Sequence, residues 1–108
     1  MRSEPLTGLG IIVAGTDPAR FRSALTLAAA QAALGGRVRI LFDGESVSLA
    51  AVSGELLDTC FELGATATLC QTGLAEAGLD AATLDPRFDY GGMVGWLAAL
   101  GEDRLVLA

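Results

Sequence analysis

The feature that most constrains this chain is its alternation of short apolar runs with amphipathic or alanine-rich stretches, each closed by glycine. Leu9–Ala14 (LGIIVA) is apolar throughout and β-branched at its centre, which is the pattern of a strand buried on both faces. Gly15-Thr16-Asp17-Pro18 follows, with Asp17 suited to cap a helix and Pro18 to its first position. A helix is expected from there to about Leu34, with Phe21, Leu25, Ala28 and Ala32 on one stripe and Gly35-Gly36 ending it. Arg37–Phe42 (RVRILF) reads as a second strand and Asp43–Ser46 as a polar loop. A helix over roughly Gly54–Leu63 stops at Gly64. Ala65–Leu69 (ATATL) is the third strand and delivers Cys70 at its carboxyl end. Thr72–Ala77 is a short helix closed by Gly78. Residues 80–92, with Asp80, Asp85, Pro86, Asp89 and two glycines, read as a loop with one turn. Met93–Leu100 is a helix and Arg104–Ala108 a last strand.

Strands alternating with helices require right-handed crossovers and a parallel sheet. The expected fold is α/β: a three-layer α/β/α arrangement on a mainly parallel sheet of four or five strands. Residues 1–108 are read as one domain, since 108 residues suffice for a single core.

Composition then narrows the chemistry. There is no histidine and no lysine. A Ser-His-Asp triad, a histidine-ligated metal, a P-loop lysine and a Schiff-base lysine are all excluded. Neither a metal nor a cofactor is expected. The formal net charge is −6, so a basic face for nucleic acid is not expected. The longest stretch free of polar side chains, Gly91–Gly101, is eleven residues, against the roughly 20 of a spanning helix. Neither membrane insertion nor an export signal is expected, and two cysteines make no disulfide framework. A cytoplasmic location with free thiols fits. Hydrophobic residues make up 52% of the chain, enough to suggest that some apolar surface meets another subunit.

Ligands of open parallel sheets bind beyond the carboxyl ends of the strands. The loops converging there are Gly15–Asp17, Asp43–Ser46 and Cys70–Gly73. Of their side chains, Cys70 alone is a nucleophile, and a strand–helix junction favours its charged form. The plain alternative is a small buried hydrophobe. Thr16, Asp43, Glu45, Gln71, Thr72 and Gly73 are its expected neighbours. Asp43 and Glu45 could do acid–base work or bind a hard cation, but equally suit a solvated turn. Thr16 borders a possible anion cradle, though Asp17 would repel the anion. Cys60 falls at the opposite end of the sheet from Cys70, too far for a disulfide, and reads as core. Met93, Trp96 and Leu97 share a helix face, either core or subunit contact. Arg87–Tyr90 could be a lid or an interface edge. A nucleotide or flavin site is disfavoured because no glycine-rich fingerprint follows the first strand.

Three segments together carry a family resemblance: Leu9–Gly36, Val38–Phe42 with its Asp-Gly turn, and the block from Glu62 to Leu79 (ELGATATLCQTGLAEAGL), with Gly91–Ala108 as the closing unit. The chain resembles the DsrE/DsrF-like family of TusD-type sulfur-relay and YchN-like proteins over nearly its whole length. The resemblance implies a small α/β fold assembling as a homotrimer or homohexamer. It also implies that Cys70 carries sulfur as a persulfide between a sulfur-donor and a sulfur-acceptor protein. Ala77 stands where several relatives have arginine, and Gly73 where they have serine or alanine. A non-catalytic oligomeric or regulatory subunit with an inert cysteine is the alternative expectation.

Overall fold

The computed structural model describes residues 6–52 and 54–108. Five strands form one sheet: β1 Leu9–Val13, β2 Val38–Phe42, β3 Thr66–Cys70, β4 Asp89–Gly91 and β5 Arg104–Leu107. The α-helices are α1 Pro18–Ala33, α2 Glu55–Glu62, α3 Gln71–Ala77 and α4 Met93–Leu100. The strand order is β4-β3-β2-β1-β5, and every neighbouring pair is parallel. From β1 to β4 the chain steps in one direction across the sheet, so right-handed crossovers put α1, α2 and α3 on one face. The return from β4 to β5 spans the whole sheet and lays α4 on the other. The result is the expected three-layer α/β/α architecture with five strands.

Sequence dictates these elements locally. Asp17 caps α1 by accepting from the Ala19 N–H at 2.9 Å, and Pro18 opens it. β1 and the far end of β2 are wholly buried, because helices cover both their faces. The larger core gathers Ile11, Val13, Leu25, Ile40, Phe42, Leu57 and Leu69 under α1 and α2. The smaller joins Ile12 and Leu41 to Trp96 and Leu100 of α4. Gly10 lets α4 settle: a Cβ there would lie 2.4 Å from Leu100 Cδ1. Trp96 is therefore core, and α4 leaves Val94 and Leu97 exposed. Cys60 is also core; its Sγ–H donates to the Leu25 carbonyl at 3.4 Å, and burial pushes its thiol up.

Three sequence expectations need correction. Residues 80–92 are not merely loop: Ala81–Thr83 is a 3₁₀ turn capped by Asp80, and Asp89–Gly91 is the edge strand β4. Three residues rich in Asp and Gly carry no strand pattern; pairing with β3 makes them one. Residues 43–46 are not a free loop either, because a 3₁₀ helix runs Gly44–Val52. Buried Ser46 holds it down, its hydroxyl shared between the Val13 and Asp43 carbonyls at 2.8 Å each. Nor is Arg87–Tyr90 a lid. Phe88 is buried, edge-on to Phe42 and Phe61 at ring separations of 5.9 and 5.4 Å. Arg87 lies 4.5 Å over the Phe61 ring and bonds Asp58 and Asp85, each at 2.7 Å.

That clamp gives a pH prediction. Hydrogen bonds from Arg87 lower the Asp85 carboxyl from 3.8 to about 2. A carboxylate depressed in the folded state contributes stability above its unfolded value and loses it as pH falls through the folded one. The Asp85 contribution is thus present at neutral pH and disappears between pH 3.8 and about 2. Asp103, lowered by its hydrogen bond to Arg37, adds in the same direction. Urea midpoints measured against pH for the wild type and Asp85→Asn should show a shallower acid slope in the variant. Parallel slopes would mean that the clamp is not formed in solution.

Candidate functional site

β3 ends on Cys70 and α3 begins on Gln71, so the cysteine is both the last strand residue and the helix cap. Strand assignment therefore starts and ends one residue later than Ala65–Leu69. Cys70 has extended backbone angles, and its Sγ accepts from the Gly73 N–H at 3.4 Å. A thiol sulfur is a weak acceptor, and an anionic sulfur a strong one. This amide thus points at the atom that would carry charge. The side chain is half-buried, one side against the larger core, and its register partner across the sheet is Gly91 of β4.

Gly73 explains how α3 is placed. A Cβ at this position would sit 2.4 Å from the Gly44 carbonyl oxygen and 3.2 Å from Val47 Cγ1. Gly44 itself turns at φ +57°. The two glycines let α3 press against the Gly44–Val52 helix, backbone to backbone.

Beside that junction is a cleft of about 240 Å³ lined by Thr16, Glu45, Ser48, Gly73, Glu76 and Ala77. Three of the six expected neighbours, Thr16, Glu45 and Gly73, meet there. Asp43 is half-buried, and its backbone N–H donates to the Val13 carbonyl at 3.0 Å. Asp43 does not line the cleft with Glu45, so the expected carboxylate pair is not assembled in it. Gln71 and Thr72 are exposed on the first turn of α3, outside the cleft lining. Glu76 and Ser48 were not anticipated. Glu76 follows Gly73 by three residues on α3, a spacing that puts both on one helix face. Ser48 is brought in by the unforeseen 3₁₀ helix, where its hydroxyl donates to the Glu45 carbonyl at 3.0 Å. The cleft is thus acidic, with Glu45 and Glu76 and no cation in its lining. Cys60 lies apart, buried under α1. Among the described residues no cluster of three or more His, Cys, Asp or Glu could hold a metal ion, and no helix is long and apolar enough to cross a membrane.

No family model matches the chain, and no curated protein does. Solved structures do match. The YchN protein from E. coli aligns over 95% of this chain and 100% of its own, with TM-score 0.73 and 18% identity. MTH1491 from Methanobacterium thermoautotrophicum, a protein of unknown function, aligns over 94% and 99%, with TM-score 0.78 and 15% identity. BT1422 from Bacteroides thetaiotaomicron, also of unknown function, aligns over 93% and 94%, with TM-score 0.67 and 17% identity. At these identities the likeness is one of fold. The sheet and its helices are those of the YchN type.

Proposed function

We propose that this chain is a DsrE/DsrF-like sulfur carrier of the cytoplasm, working as a homotrimer or homohexamer and holding a persulfide on Cys70. One observation carries the reading: a half-buried sulfur ends a strand at the carboxyl edge of a parallel sheet, with the Gly73 N–H aimed at it. The YchN-type fold and the Glu62–Leu79 block support it. The Cys70 thiolate attacks the terminal sulfur of a persulfide on a donor protein. A new S–S bond forms, the donor's S–S bond breaks, and the donor leaves as a thiolate. Cys70 then carries Cys–S–SH, and an acceptor thiolate takes the outer sulfur in the same way. Sulfane sulfur is passed without net oxidation, so neither a cofactor nor a base to activate water is needed. Gly73 positions the amide; Thr16, Glu45, Gln71 and Thr72 form the rim that a partner protein meets, and half-buried Asp43 ties the adjoining turn to β1 through its N–H bond to the Val13 carbonyl.

A second reading is favoured by one observation. The cleft beside Cys70 holds Glu45 and Glu76, and Ala77 offers no cation to steady an anionic sulfur. On that reading the chain is a non-catalytic subunit with an inert cysteine. Intact-mass analysis after incubation with a cysteine desulfurase and cysteine decides between them. The wild type and Cys60→Ser should gain a sulfur adduct of about 32 Da, and Cys70→Ser should gain none. An adduct retained in Cys70→Ser, or absent from the wild type, leaves the second reading.

A further inference from the structure

Arg39 of β2 is a cation without a partner. Its Nε is enclosed and bonds to nothing, and among the described residues no carboxylate or carbonyl meets its guanidinium. An enclosed charged donor with no acceptor is costly, so it calls for an acceptor from outside the chain. Asp103 does not serve: Arg37 holds it by a hydrogen bond, the first cause of its lowered pKa, and the charge of Arg39 is the last.

Alternation along the strands fixes where Arg39 stands. Leu41 packs under α4, so Arg39, two residues earlier on β2, belongs to the same face. Its register partner on β1 is Gly10, on which Trp96 and Leu100 of α4 rest. Ala67 and Leu69 belong to the core under α1 and α2, which turns Thr68 of β3 to the α4 face as well. Between α4 and this half of the sheet lies a groove of about 290 Å³. Arg39, Thr68 and Gly91 form its floor, and Gly95, Trp96 and Ala99 its α4 wall. Tyr90 borders it, with its hydroxyl donated to the Ala81 carbonyl at 3.4 Å.

The other donors here lack acceptors too. Among the described residues neither the Thr68 hydroxyl nor the Trp96 indole N–H makes a hydrogen bond, although Trp96 is only 7% exposed. The indole packs with Ile12, Leu41 and Leu100, so the groove is its way to solvent. Gly92 begins α4 without a side-chain cap, which leaves the first-turn amides open beside the groove. No acidic side chain lines it.

We infer that this groove binds a free organic monocarboxylate, with the carboxylate on Arg39 and the body of the acid against Gly95 and Ala99. The planar guanidinium fork matches a carboxylate in two parallel hydrogen bonds, and Thr68 and Trp96 add a hydroxyl and an N–H. Charge selects a monoanion. One guanidinium in the lining balances one negative charge, Asp89 is exposed opposite Thr68 in the register, and the whole chain carries −6. A phosphate dianion would be left half-neutralised and repelled. Size selects a small acid. Ligand pockets ordinarily start at about 300 Å³, so there is room for a ring or a short chain beyond the carboxylate and none for a nucleotide. The site lies on the face opposite α1, α2 and α3, and it does not depend on the chemistry of Cys70.

Trp96 is the only tryptophan and reports on the groove directly. Benzoate is the probe. It should change the Trp96 fluorescence saturably, and calorimetry should give the same midpoint. Benzamide, which has the shape without the charge, and inorganic phosphate should bind at least about tenfold more weakly. Arg39→Met keeps an unbranched stem without the donors and should lose binding. Arg39→Lys keeps the charge without the fork and should bind at least about tenfold more weakly than the wild type. Gly95→Leu fills the groove from α4, where a Cβ would meet open space, and should also lose binding; it decides the matter if Arg39→Met fails to fold. No saturation by benzoate up to about 10 mM, an equal response to benzamide, or unchanged binding in these variants overturns the site. Phosphate binding tighter than benzoate overturns the choice of a monoanion. Saturation by a short glutamate-containing peptide but not by benzoate overturns the free acid and gives Arg39 to a carboxylate on a partner chain.

Discussion

Phe88→Ala is expected to destabilise the protein by about 3–5 kcal/mol, the usual cost of emptying a buried aromatic site. The ring is 4% exposed and stands edge-on to Phe42 of β2 and Phe61 of α2. It is the anchor of the segment from Asp80 to Gly91 within the larger core. Truncation would leave a void that neither neighbour can fill without leaving its own packing. It would also strip the apolar support from the Phe61 ring beneath Arg87. Domains of this size are stable by about 5–15 kcal/mol, so the loss is a large share of the total. Urea denaturation followed by circular dichroism measures it, with Tyr90→Ala as the comparison, since Tyr90 is 37% exposed and belongs to neither core cluster, and should lose less. A Phe88→Ala loss under about 1 kcal/mol would show that this segment is not pinned to the core as described.

Phe88 also shows where sequence reading stops. The runs LGIIV and VRILF announce themselves because strands covered on both faces are apolar throughout. Helix ends were equally legible where Gly35, Gly64 and Gly78 take positive φ. The parallel sheet follows from the alternation of the two kinds of segment. β4 offers no such signal. Its three residues gain strand character only from the edge of β3, and Phe88, the residue that fixes them, sits in the sequence among charged residues and beside Tyr90, with no periodicity to mark it as core. Cys70 could be found because it follows ATATL directly and precedes a short helix closed by Gly78. Its surroundings were only half visible. Thr16, Glu45 and Gly73 each follow the carboxyl end of a strand by three residues, the edge at which any parallel sheet gathers its connections. Glu76 and Ser48 depend on how closely α3 approaches the Gly44–Val52 helix, a distance that no local pattern encodes.

That distance supports the second large effect. Gly73→Ala should destabilise the protein by about 1–3 kcal/mol, although alanine normally favours a helix interior over glycine. The sign reverses because the added Cβ would lie 2.4 Å from the Gly44 oxygen and 3.1 Å from its carbonyl carbon. These are backbone atoms of a residue already held at positive φ, and they cannot swing aside as the tip of a side chain could. Relief requires α3 to move away from the Gly44–Val52 helix, which draws the Gly73 N–H away from Cys70 Sγ. The same substitution should therefore slow alkylation of Cys70 by iodoacetamide. Gly95→Ala is the matched control: it also lies within a helix, and its Cβ would meet open space. It should be neutral or stabilising by up to about 1 kcal/mol, with Cys70 reactivity unchanged. Denaturation midpoints and alkylation rates for the two variants separate close backbone approach from mere helix propensity. If both variants shift stability in the same direction, α3 does not press on the Gly44 turn, and the placement of Cys70 must have another cause.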